Sequence, residues 1–295
     1  MLPTGTRKRR RTERDPAMNP MQSILVHMDA SPRCAARLEI ARQLARRHGA
    51  EMLCALLAIK PRLVPAAAPV AAEVPPPLIA GIDAAQRARA RATFDAALER
   101  GEPFMTWDEV PGHPPAWDFS RAALYADLMV LGQKDPDDLA TFDVPKDFVE
   151  DVLLLSGKPG LIIPFAGVFD SVGSSAMIAW KPTRECARAV ACAIPLLQKA
   201  KRVQVVCWGE DNYAPAETTF GIGRYLKWHG IDAPVHRYGE DPDDIGELLL
   251  SRVADESADL LVMGCYSHSR LREVVLGGAT RVVLKSMTCP VLMAH

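Results

Sequence analysis

Residues able to do chemistry gather near the carboxyl end of this chain. The apolar run Leu260–Leu261–Val262–Met263 opens at Gly264 into a segment carrying Ser267, His268, Ser269 and Arg270. That segment reaches Gly277 and Gly278, and a helical pattern begins at Ala279 and Thr280. A strand, a glycine, a loop, paired glycines and a helix start together make a phosphate cradle. Glycine lets backbone N–H groups approach an anion, and the helix start supplies unpaired donors and a positive dipole end. The hydroxyls of Ser267, Ser269 and Thr280 and the charges of Lys181, Arg270 and Arg272 would reinforce it.

Other constellations carry less. His268 between Ser267 and Ser269 lacks a nearby carboxylate to orient it, so a surface histidine is the plainer reading. Asp137, Asp138, Asp143 and Asp147 read as a solvated acidic loop before they read as a metal site. Trp180 and Trp208 close two strands and could stack on a base, though rim packing explains them as well. The sequence contains neither G-x4-G-K-[ST] nor G-x-G-x-x-G.

The elements that would position the loop occur twice. Ser23–Ser31 and Ser175–Thr183 each give a strand followed by a helical stretch. Ala126–Asp127–Leu128–Met129–Val130–Leu131–Gly132 parallels Ala258–Asp259–Leu260–Leu261–Val262–Met263–Gly264. Lys158–Pro159–Gly160–Leu161–Ile162–Ile163 parallels Cys289–Pro290–Val291–Leu292–Met293. Similarity at this scale indicates two copies of one unit. Residues 21–166 and 174–295 are the expected domains, with a basic disordered tail over 1–20. Strands alternating with helices imply parallel pairing through right-handed crossovers. The fold class is therefore α/β, as two copies of a five-stranded parallel open sandwich of Rossmann type. Pro61–Gly81 is expected to be a loop, with a helix over about 83–100. In the second copy, helices are expected to start near Arg184, Pro215 and Asp241, the first kinked or broken at Pro195. The fifth strands, Leu161–Pro164 and Val291–His295, are apolar edges that should pair with each other.

Bulk properties narrow the class. The 295 residues carry a net charge of −1, which offers no general attraction to nucleic acid or membrane. No apolar run approaches the roughly 20 residues of a membrane span, and no signal-peptide apolar region precedes the first strand. Seven cysteines without a CxxC pair argue against a disulfide framework or zinc site. The cytoplasm is the expected compartment.

These residues resemble the universal stress protein family in tandem form, over Gln22 to His295. The resemblance implies an adenine nucleotide alpha hydrolase-like fold. Nucleotide-binding members carry G-x2-G-x9-G-[ST] after the fourth strand and an aspartate ending the first. Here Gly264 and Gly277 match the first and third glycines, Ser267 stands at the second, and Gly278 at the Ser/Thr position. Lys181 stands at the aspartate position of the second half. In the first half Asp29 matches, but Gln133–Lys134–Asp135–Pro136–Asp137–Asp138 replaces the cradle after Gly132. The resemblance implies a stress-response protein that binds ATP or ADP with magnesium in the second half and acts through a protein partner. The alternative is a scaffold without nucleotide, working through the surface of an intramolecular pseudo-dimer. It leaves a homodimer open. No residue stands out as a general base at the phosphate end, so catalysis is not expected.

Overall fold

The structure, a computed structural model, describes residues 21–59, 76–101, 105–110, 114–137, 143–209, 221–239, 244–266 and 278–295. The first half contributes β1 (Ser23–Met28), α1 (Cys34–His48), β2 (Met52–Leu57), α2 (Pro76–Leu98), β3 (Met105–Glu109), α3 (Pro115–Ala123), β4 (Leu128–Gly132), α4 (Phe148–Ser156) and β5 (Gly160–Ile163). The second contributes β6 (Ser175–Ala179), α5 (Arg184–Leu197), β7 (Arg202–Cys207), α6 (Ile222–Trp228), β8 (Val235–Arg237), α7 (Ile245–Asp255), β9 (Leu260–Gly264), α8 (Ala279–Ser286) and β10 (Val291–Ala294).

All ten strands join one sheet in the order β3-β2-β1-β4-β5-β10-β9-β6-β7-β8. Pairing is parallel within each half, and each half repeats the same order about its own first strand. The halves meet where β5 and β10 pair antiparallel, with Leu161 opposite Leu292 and Ile162 opposite Val291. The expected contact between the fifth strands is thus a backbone ladder. Residues of the central strands, such as Val130, Leu131, Leu161, Val262 and Leu292, are fully buried. Helices on both faces bury both sides of a parallel sheet, so these strands read as continuous apolar runs.

The duplicated Ala–Asp–Leu motif has a structural explanation. Asp127 Oδ2 accepts from the backbone N–H groups of Gln22 and Ser23, at 2.8 and 2.9 Å. Asp259 accepts from Ser174 and Ser175, at 3.0 and 2.8 Å. In each half the aspartate before the fourth strand ties down the start of the first.

Local signals account for some helix boundaries. Thr183 caps α5 by accepting from the Cys186 N–H at 3.3 Å. Gly49 closes α1 in the left-handed region, φ 63°, where glycine carries no Cβ penalty. Two expectations need correcting. Helix α2 begins at Pro76, inside the stretch read as loop, because proline is tolerated in the first turn, where its missing N–H has no partner to lose. Helix α5 runs through Pro195 to Leu197 without a break, since the proline forgoes a single i−4 bond near the helix end and the Gln198 N–H still reaches the Ile194 carbonyl at 2.9 Å. The expected starts near Pro215 and Asp241, and the tail over 1–20, lie outside the described residues. Among the described residues no helix is long and apolar enough to cross a membrane.

Candidate functional site

The carboxyl end of β1 leads directly to Asp29, which is buried together with His27, Ser31 and Arg37. One Asp29 oxygen accepts from the Ser31 N–H at 2.9 Å. The other stands 2.9 Å from Arg37 Nη2. Arg37 projects from α1 and donates through Nε to the His27 carbonyl at 2.7 Å. Burial alone would push the Asp29 carboxyl up, but the Arg37 guanidinium, with His27 and Ser31, brings it down to about 2. The same burial and the same guanidinium lower His27 to about 4. His27 is held between rings, its centroid 4.3 Å from Phe148 and 5.6 Å from Phe119, and its Nε2 bonds the Ala58 carbonyl at 2.9 Å.

Gly132, at the end of β4, faces this pair. A Cβ there would lie 2.0 Å from Arg37 Nη1. In this half the glycine therefore makes room for an arginine. Both oxygens of Asp29 have protein partners, which leaves the carboxylate poorly placed to bind a ribose. Sequence reasoning named Asp29 but missed Arg37, since a charged residue inside a helical pattern normally reads as a solvated face. The only available signal was the absence of any other counter-ion for an aspartate at a buried strand end.

Beyond Gly132 the chain turns to Gln133, whose Nε2 donates to the Leu284 and Lys285 carbonyls in the last turn of α8, at 3.0 and 3.1 Å. Its Oε1 accepts from the Phe165 N–H at 3.1 Å. In the position of a phosphate loop, the first half has a cap for a helix of the second half.

In the second half Gly264 ends β9, and a Cβ there would lie 2.5 Å from the Cys186 backbone nitrogen. This glycine lets the start of α5 pack against the strand end. Tyr266, at φ 54°, donates its N–H to Thr280 Oγ1 at 3.3 Å, so the two ends of the loop touch. Gly278 is the N-cap of α8, followed by Ala279 and the buried Thr280. Lys181, beyond β6, is exposed. Ser267, His268, Ser269, Arg270 and Gly277 lie outside the described residues. The structure thus brings Gly264, Gly278, Ala279 and Thr280 to one place. Asp29 belongs to a different one, since three strands separate β1 from β9.

The remaining candidates resolve as packing. Trp208 stacks on Tyr238 with centroids 5.0 Å apart, and Arg252 lies over the outer ring. Trp180 lines an apolar groove with Tyr225 and Trp228. Among the described residues no group of His, Cys, Asp and Glu could hold a metal ion.

Against known proteins, the model of the universal stress protein family matches residues 193–295. A universal stress protein from Archaeoglobus fulgidus DSM 4304 is similar in structure, with TM-score 0.66 at 16% identity, covering 92% of this chain and 95% of that one. A putative universal stress protein from Pseudomonas aeruginosa UCBPP-PA14 gives TM-score 0.59 at 17% identity, covering 94% of each. At these identities the likeness establishes the α/β fold over most of the chain. No curated protein matches.

Proposed function

We propose that the chain is a tandem universal stress protein of the cytoplasm, with one family unit over 21–166 and another over 174–295. In this reading it binds ATP or ADP with magnesium in the second half alone and transmits that state to a protein partner. The observation that carries it is the family match over 193–295, which contains every retained element of the loop. The hydrogen bond from Tyr266 to Thr280 supports it, because it draws the strand end and the helix start around one space. The Asp29–Arg37 pair argues against nucleotide in the first half.

Magnesium would supply charge neutralisation to the phosphates, and Lys181 and Arg270 would add to it. Gly277 and Gly278 would offer backbone N–H groups at the start of α8. A second reading, a scaffold without nucleotide, is favoured by the tight seat of Gly264 against Cys186, which explains that glycine without any ligand.

Calorimetric titration with ATP and magnesium separates the two. Saturable heat is expected, with stabilisation of about 2.7 kcal/mol at a hundredfold excess over Kd. Gly277→Val should abolish both. No heat and no stabilisation at millimolar ATP would leave the scaffold reading standing.

A further inference from the structure

The two halves differ where their first strands end. Met28 precedes Asp29 as Trp180 precedes Lys181. Met28 is fully buried, and in that half the 23-residue helix α2 packs on α1 and buries Ala90 and Phe94. Trp180 is half-buried and faces a groove between α5 and α6, a helix of 7 residues. Trp180, Ala187, Val190, Ile222, Tyr225 and Trp228 line this groove, which holds about 350 Å³. Small-molecule sites of about 300–1,000 Å³ are likewise apolar and aromatic, with few polar groups. Trp228 is 58% exposed, a large apolar surface left to water. None of Gly264, Gly278, Ala279 and Thr280 lines the groove.

Shape and charge narrow the occupant. Three aromatic side chains around one space favour a flat aromatic body, because paired rings gain energy beyond the area they bury. Helices α5 and α6 carry Arg184, Arg188, Arg224 and Lys227, and their one acidic residue, Glu185, is buried against Arg184. Arg188 is spent on the His295 carbonyl at 2.6 Å. Arg224 is exposed one turn before Trp228, and it has no hydrogen bond or ion pair among the described residues. A guanidinium so placed suits a carboxylate, which it can hold through two parallel N–H groups.

We propose that this groove binds a planar aromatic carboxylate, its ring system against Trp180, Tyr225 and Trp228 and its carboxylate toward Arg224. The site is separate from the candidate nucleotide loop and does not depend on nucleotide.

The test is titration of the full chain with sodium 2-naphthoate at constant ionic strength, followed by calorimetry and by quenching of tryptophan fluorescence. Saturable binding at one site per chain is expected. Uncharged 2-naphthalenemethanol should bind about fivefold more weakly, the share of an exposed ion pair. Sodium decanoate, charged but without a ring, should also bind more weakly. Ala187→Leu places bulk in the groove from an exposed helix position, where leucine is a good helix former. It should weaken naphthoate at least about tenfold and leave the melting temperature unchanged. Trp228→Ala, also at an exposed position, should weaken it similarly. Arg224→Gln should bring naphthoate to the level of the alcohol and leave the alcohol unaffected. No saturable binding in the unaltered chain, equal affinity for the alcohol, tighter binding of decanoate, or naphthoate binding that Ala187→Leu or Trp228→Ala leaves intact would each overturn the proposal.

Discussion

Gln133 and Leu284, from opposite halves of the chain, are joined by a hydrogen bond of 3.0 Å that caps the final helix. The same side chain reaches Lys285 and holds the Phe165 N–H. Helix α8 therefore runs from the candidate nucleotide loop at Gly278 to the end of β4 in the first half.

Gln133→Ala should cost about 2 kcal/mol, because two carbonyls and one N–H lose their partner at a buried site. Urea unfolding followed by circular dichroism measures this. An unchanged midpoint would show that water replaces the cap without loss.

The paired aspartates make a matched prediction. Asp127→Ala and Asp259→Ala should each destabilise by about 1–2 kcal/mol, since each removes two charge-assisted bonds to backbone N–H groups, and Asp127 also loses the Ser23 hydroxyl at 3.0 Å. Asp259→Ala should cost more, because Asp259 is half-buried and Asp127 is exposed.

Glycine substitutions should diverge in sign. Gly264→Ala forces a Cβ into backbone at 2.5 Å and should cost about 3 kcal/mol or more. Gly81 lies within α2 with open space around its Cβ position. Gly81→Ala should stabilise by about 0.5–1 kcal/mol. Thermal melts of the two variants give the comparison.

Acid sensitivity should arise at His27. Its folded pKa of about 4 lies below its ordinary 6.5, so the unfolded chain takes up the proton first. The stability tied to neutral His27 is complete above pH 6.5 and is lost as the pH falls toward 4, by about 3 kcal/mol. His48 is lowered to about 4 by burial, Lys199 and Arg47, and adds loss in the same window. The stability tied to ionised Asp29 is complete above its ordinary 3.8 and is lost as the pH falls toward 2. His27→Gln should flatten the profile between pH 6.5 and 4. A profile as steep as that of the unaltered chain would move the origin elsewhere.

The repeated strand–helix pattern and the apolar runs carried the fold, because burial on both sheet faces leaves its mark on nearly every residue of β4, β5, β9 and β10. The aspartates at 127 and 259 were visible as a repeat, though their backbone role was not. Arg37 and Gln133 left no such mark. Their partners lie on other elements, Asp29 across the α1–β1 packing and Leu284 across the seam between halves. A charge or amide that bonds over such distances looks in sequence like any surface residue. Pro76 and Pro195 misled because the effect of proline depends on its position within a turn, which composition does not reveal.

The ladder between β5 and β10 belongs to a single polypeptide, so its formation does not depend on how much protein is present. Two separate chains joined through the same strands would part on dilution below their dissociation constant. Here the connection from Ile163 to Ser175 keeps the partner strand at a high effective concentration at any expression level. A cell holding only a few copies of this chain has the same ten-stranded sheet as one that holds thousands.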